Sequence, residues 1–304
     1  MNHPFLIGQY GHFDYSKYYR DYRADFHGIE ACLFQDLQDI NNLVKESCSN
    51  SFRIGIHFPL RAGVSRLRDA LFLSKEDTIR KEAYAIAEQE LAYIHSLMQP
   101  EYVLFHYPKP VILDEHADWT SWRFDDSLEY VYEKEYSFED FNRYSDELFE
   151  WLARKGMEYG FMPVLEFDAL NKYVYEQNDL QELLEQYSSI KLCLDTARLY
   201  IQDRIDPNFH ASAVLEQYAK YTAAIHLSNV QIAHDGSLMH SRMPVLPDQL
   251  PSSGWAPVEH YLRTVFKQNR EVRIMFEHRS DKVTDEQLEQ CYRWVAQIME
   301  EIKS

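Results

Sequence analysis

Eight short apolar runs, separated by longer amphipathic stretches, constrain this chain more than any other feature of its sequence. They are Phe5–Tyr10, Gly28–Phe34, Phe52–Phe58, Tyr102–Tyr107, Pro163–Phe167, Ile190–Asp195, Ala223–Val230 and Arg273–His278. Each is too short for a buried helix and too continuously apolar for a half-exposed strand, so each reads as a strand covered on both faces. Helical spacing fills most of the intervals, at Asp36–Ser47, Lys75–Met98, Phe138–Tyr159, Leu180–Tyr187, Ala211–Tyr221, Pro257–Gln268 and Thr284–Ile302. Ser137 and Asp140 mark one helix start, and Thr284 with Gln287 forms a capping box at another. Gly11–Asp25 is too aromatic and charged to assign. Eight strands alternating with helices over 304 residues predict an α/β protein, a single (β/α)8 TIM barrel. An open doubly wound sheet is the alternative, but no GxGxxG follows an early strand. With no linker or low-complexity segment, residues 1–304 read as one domain. The connection 108–137 exceeds the ~12–15 residues at which structureless loops become uncommon. It is read as a loop insertion over the barrel mouth, carrying Trp119, Trp122 and Arg123.

Charge and cysteine usage narrow the function classes. Acidic residues outnumber basic ones by 49 to 31, a net charge of −18, which argues against broad contact with nucleic acid or a membrane surface. Cys32, Cys48, Cys193 and Cys291 are scattered, so neither a disulfide framework nor a zinc knuckle is expected, and a reducing compartment is the default. No signal-peptide pattern opens the chain, and no apolar run approaches the ~20 residues that span a bilayer. The expectation is a soluble, cytoplasmic protein.

Active sites of such barrels lie where the strands end, so ionisable residues late in the apolar runs are the informative ones. The third to eighth runs supply His57, His106, Glu166, Asp195, His226 and Glu277 in turn. Burying a charge on a strand costs several kcal/mol unless it is used, and six successive strand ends are hard to assign to packing. Carboxylates and imidazoles converging on one rim form a ligand set for one divalent ion. With three carboxylates and one imidazole, Glu166, Asp195, His226 and Glu277 suit Mn²⁺ or Mg²⁺ first, with Co²⁺ or Zn²⁺ as alternatives. No HExxH, GxSxG or GxxxxGK[ST] occurs, which removes zincin, α/β-hydrolase and P-loop readings.

The strand ends VLEF, CLDT, IHLSN and MFEH, in that order, resemble the xylose isomerase-like TIM-barrel superfamily, which includes sugar-phosphate isomerases and epimerases, related dehydratases and family-2 apurinic endonucleases. The resemblance spans Phe5 to about Ile302 and implies one metal ion on Glu166, Asp195, His226 and Glu277. It also implies that Glu166 and Glu277 exchange the substrate proton through a metal-stabilised enediolate, and that the protein is a homo-oligomer. The chemistry is coherent, because isomerising a sugar needs a base beside the carbon acid and an electrophile on its oxygens.

Two departures bear on the reaction. Where the superfamily has D-x-x-H, this chain reads Asp195-Thr196-Ala197-Arg198, and a guanidinium cannot ligate a cation. It can fork onto a substrate anion or a ligand carboxylate. The endonuclease branch's D-x-H reads Leu238-Met239-His240, so its Asp is missing. A DNA-cutting trinuclear site is therefore not expected, and His57, His106, Lys109, Arg198 and His240 are assigned to substrate contact. The leading expectation is a metal-dependent sugar or sugar-phosphate isomerase or epimerase with a small-molecule, sugar-like substrate. The alternatives are a dehydratase or lyase on a hydroxy-acid or cyclitol, an endonuclease-like phosphodiesterase, and a non-catalytic polyol-binding barrel.

Overall fold

The computed structural model describes residues 3–303. Its eight barrel strands are β1 (His3–Tyr10), β2 (Phe26–Cys32), β3 (Arg53–His57), β4 (Tyr102–Tyr107), β5 (Met162–Phe167), β6 (Lys191–Asp195), β7 (Thr222–Leu227) and β8 (Arg273–Phe276). They pair in parallel and in chain order, and β8 returns to β1 to close the ring. Each of the eight expected runs supplies one strand.

Two apolar layers hold this ring. Leu6, Tyr102, Leu104, Val164, Cys193, Ala224 and Met275 fill its interior, and a larger core lies between the strands and the surrounding helices. The interior is tight enough to demand glycine. A Cβ on Gly55 would lie 2.2 Å from Cζ of Tyr102, so only a glycine in β3 lets that ring cross the barrel. The Tyr102 hydroxyl thereby reaches a carboxylate on β2.

The helices longer than about one turn are α1 (Tyr15–Asp21), α2 (Leu37–Asn50), α3 (Asp77–Leu97), α4 (Phe138–Tyr159), α5 (Asp179–Gln186), α6 (Thr196–Ile205), α7 (Ala211–Tyr218), α8 (Val258–Gln268) and α9 (Asp285–Lys303). The capping box before α9 forms reciprocally: Thr284 N donates to Gln287 Oε1 at 3.0 Å and Gln287 N to Thr284 Oγ1 at 3.2 Å. None of the described helices is long and apolar enough to cross a membrane.

Two helices lie where the sequence pattern is silent. The Gly11–Asp25 segment contains α1, capped by Asp14, whose side chain accepts from Ser16 N and Lys17 N. Helix α6 starts directly on the last residue of β6 and has almost no amphipathic stripe, with Thr196, Leu199, Tyr200 and Gln202 all buried. The expected seventh strand is also split. It ends at Leu227, and Asn229–Ile232 pairs instead with Leu238–Met243 in an antiparallel hairpin. The long connection is ordered, with Val111–Leu113 paired in parallel with Tyr130–Tyr132.

Candidate active site

Strand register assembles the site. His106 pairs with Glu166 across β4 and β5, and Asp195 with His226 across β6 and β7, so these four side chains sit at one level at the strand ends. Glu166 is the hub and is 1% exposed. Its Oε2 lies 3.1 Å from Nε2 of both His57 and His106, and its Oε1 lies 3.1 Å from Nδ1 of His226. Burial alone would raise the Glu166 carboxyl. The charges and hydrogen bonds of His226 and His106 outweigh it and hold the group well below the usual carboxylate range.

The three imidazoles differ in their second nitrogen. His57 Nδ1 is 3.2 Å from the Phe58 carbonyl, and His106 Nδ1 is 2.9 Å from Asp69. Each Nδ1 thus has a fixed acceptor, while each Nε2 faces Glu166. His226 is held instead between two carboxylates, with Nε2 3.1 Å from Glu30. Against the effect of burial, neighbouring Cys193, Glu166 and Glu30 raise it well above the ordinary histidine range, so it is an imidazolium donating both protons. Glu30, on β2, also accepts from the Tyr102 hydroxyl at 2.6 Å. Burial opposes ionisation of Glu30, but His226 holds its carboxyl low.

Asp195 links strand to helix. Its Oδ1 caps α6 by accepting from Ala197 N at 2.8 Å and Arg198 N at 3.0 Å. Burial and the Glu277 charge push this carboxyl up to about 7, with Arg198 opposing. Arg198, one turn into α6, lies back over the mouth. Its guanidinium contacts Asp168, and its Nε is 3.4 Å from Asp195 and 3.9 Å from Glu166. Of the two roles open to it from sequence, it takes the carboxylate-pairing one.

These contacts decide which residues fit a divalent ion. His57, His106 and Glu166 converge with their donor atoms within 4.8 Å, all three buried. Both histidines have their second nitrogens anchored, as metal-binding imidazoles require. The donors fit. Asp69, His106 and Asp168 also converge, but the Lys109 ammonium sits 2.8 Å from both carboxylates and already supplies the positive charge. The expected quartet is only partly assembled. Glu166 and His226 touch, whereas Arg198 stands against Asp195 and Glu166, and Glu277 lies on the cavity wall just past β8 with its side chain 29% exposed.

The remaining expected contacts separate clearly. Lys109 is 4% exposed and enclosed by Asp69, Asp168 and Glu129, so it is not available to substrate. His240 sits on the exposed hairpin, stacked on Trp255 with ring centroids 5.8 Å apart, and is not part of the cavity wall that Arg242 and Glu277 line. Trp119 and Trp122 pack with Val111 and Leu113 of their own connection and with Ala169, two residues past the end of β5. His57 does line the mouth, in a cavity of about 550 Å³ whose wall also carries Glu30, Arg68, Arg242 and Glu277. Sequence reasoning passed over Glu30, Arg68, Asp69 and Asp168. Only Glu30 and Asp168 left a signal: an ionisable residue inside the second apolar run, and one two residues after Glu166.

No protein-family profile and no curated protein matches the chain by sequence. Solved structures do. A D-tagatose 3-epimerase-like protein shares 11% identity at TM-score 0.62, over 98% of each chain. The 3-keto-D-glucoside 4-epimerase YcjR from E. coli shares 9% at TM-score 0.59, over 96% of this chain and 98% of the other. A xylose isomerase-like TIM-barrel protein from Mycobacterium smegmatis, in complex with magnesium, shares 13% at TM-score 0.54, over 92% and 86%. The chain therefore has the fold of the xylose isomerase-like TIM barrels.

Proposed function

We propose that this protein is a sugar isomerase or epimerase that moves a proton between carbons of a polyhydroxy carbonyl substrate at the barrel mouth. The observation that carries the reading is the cavity of about 550 Å³, of a size that holds a hexose, with Glu277 and His57 both on its wall. Two structural neighbours are described as epimerases or epimerase-like proteins, a chemistry that a carboxylate base on such a cavity wall serves.

Glu277 is the base in this scheme. It is the partly exposed carboxylate of the site, and it removes the proton beside the carbonyl to leave an enediolate. His57, whose Nδ1 faces the Phe58 carbonyl and whose Nε2 faces Glu166, transfers no proton in this scheme, so Glu277 itself delivers the proton to the neighbouring carbon. Glu166 is itself enclosed by three imidazoles and held ionised below its normal range, which makes it a poor base. Its proposed part is to fix His57 rather than to touch substrate. His57, His106 and Glu166 would hold a divalent ion, which supplies Lewis-acid polarisation of substrate oxygens when bound. Two imidazoles and one carboxylate favour Mn²⁺, Co²⁺ or Zn²⁺ over Mg²⁺. This shifts the metal preference drawn from the four-residue set.

The test is deuterium exchange. With D-fructose, D-tagatose and D-psicose in D₂O and Mn²⁺ present, the protein should place deuterium at carbon 3 or carbon 1. Glu277→Gln should lower that rate by about 10²–10⁴-fold, the usual contribution of a general base. Loss of water from a hydroxy-acid without exchange into any ketose would favour the dehydratase reading instead.

A further inference from the structure

The cations around the cavity are not equivalent. Lys17 pairs with Asp21, Arg279 forms a two-pronged contact with Asp281, and Arg242 lies 4.0 Å from Glu277. Deeper in the mouth, Lys109 and Arg198 are each surrounded by carboxylates. Arg68, on the loop after β3, is the exception. Among the described residues it has no carboxylate within 4.0 Å. Its Nε is buried without a hydrogen-bond partner. Its neighbours are His57, with Nη2 to Nε2 at 3.5 Å, the Tyr10 ring at 5.8 Å, and the Cys32 thiol. Burial pushes that thiol up to about 12, so it is neutral and offers no counter-charge.

A half-buried guanidinium with no carboxylate in contact, offset only by the field of nearby Asp69, is costly, and replacing such a group by an apolar residue is usually neutral or stabilising. The chain has 49 acidic side chains for 31 basic ones, so a partner was not scarce. The adjacent Asp69 carboxylate turns away to His106 and Lys109. A planar fork left open in a cavity matches a carboxylate or phosphate oxygen pair.

We propose that Arg68 receives an anionic group of the substrate, so that the natural substrate is an acidic sugar derivative, a sugar acid or a sugar phosphate. The substrate class rests on the proton-transfer reading of the same cavity, but anion binding at Arg68 is measurable without turnover. It also moves the expected anion contact from Arg198, whose charge is already engaged, to the neighbouring loop.

Titration calorimetry with D-glucose, D-glucuronate and D-glucose 6-phosphate tests this on the purified protein. At least one anion should bind about tenfold or more tighter than glucose, the scale of one charge-assisted contact. Which anion does so identifies the source of the oxyanion. In Arg68→Met the preference should fall to within about twofold, with glucose affinity unchanged and the melting point equal or higher. Arg279→Met, whose charge Asp281 already neutralises, should keep the preference. The proposal is overturned if the protein does not prefer either anion, if Arg68→Met keeps the preference, or if Arg279→Met removes it too. Failure of deuterium exchange with the anion preference intact would sink the proton-transfer reading alone. Exchange into neutral ketoses with no anion preference would sink this proposal alone.

Discussion

Replacing Arg198 by methionine isolates the positive charge that stands among the site carboxylates. The guanidinium contacts Asp168 and lies 3.4 Å from Asp195 and 3.9 Å from Glu166, with its side chain 27% exposed. Truncating one partner of a buried ion pair costs roughly 3–5 kcal/mol. The lower end applies, because Asp168 keeps Lys109 at 2.8 Å and Glu166 keeps its three imidazoles. A loss of about 3 kcal/mol should lower the melting point by roughly 6–12 °C, at about 2–4 °C per kcal/mol. Differential scanning calorimetry in EDTA reads this directly. A divalent ion can then occupy the place the guanidinium leaves between Asp195 and Glu166. Mn²⁺ at about a hundred times its Kd should return about 2.7 kcal/mol by linkage. The same Mn²⁺ should stabilise the variant more than the parent, and Arg198→His should bind an additional equivalent of metal. A variant that melts within about 1 °C of the parent, or gains no more from Mn²⁺ than the parent does, would refute the view that Arg198 neutralises these carboxylates.

Lys109→Met should be among the most damaging single changes, at roughly 3–5 kcal/mol, because it strands Asp69 and Asp168 in a buried cage; urea denaturation checks it, and adding Asp168→Asn should recover part of the loss. Asp195 titrates near 7 when folded, through burial and Glu277, against about 3.9 when unfolded. Its contribution to stability is therefore fully present below pH ~4 and lost as pH rises through ~7, at up to about 1.4 kcal/mol per pH unit; in metal-stripped protein, Asp195→Asn should flatten that slope. Gly55→Ala drives a methyl group into the Tyr102 ring and should cost about 1–3 kcal/mol. Because both changes release the same hydrogen bond to Glu30, the double variant with Tyr102→Phe should lose less than the sum of the singles.

The barrel was legible because its signal is redundant: eight buried strands each announce themselves, and an error in one leaves the alternation intact. Helix α6 escaped detection because it is packed on several sides and shows no stripe, and α1 because Tyr and charged residues share its faces. The strand-end residues could be read because a charge on a buried strand is anomalous wherever it occurs. Their pairing could not. Whether His226 binds a metal or donates both protons depends on Glu30, which sits across the ring on β2, 196 residues away. Lys109 reads as a substrate contact until the fold brings Asp69 and Asp168 to either side of it. Arg68 is the converse, because a missing partner has no sequence signature.

The same pairing bears on metal removal. Carboxylates crowded at a strand rim normally repel one another, and a bound cation is one way to hold them. Here the chain supplies its own positive charge. Glu30 and Glu166 share the His226 imidazolium, Asp69 and Asp168 share Lys109, and Asp168 and Asp195 share Arg198. Asp195 also accepts two helix amides. Folding should therefore not depend on metal, unlike small domains whose ligands have no other partner. Protein dialysed against EDTA should keep its far-ultraviolet circular dichroism at 25 °C and unfold in one cooperative step. Its melting point should fall only by the linkage expected for one ligand, about 2.7 kcal/mol at a hundred times Kd. Deuterium exchange into ketoses should vanish in the same sample and return with Mn²⁺, which separates a chemical role for the ion from a structural one. Loss of ellipticity on chelation, or a broad non-cooperative melt, would mean that these internal cations do not hold the rim together.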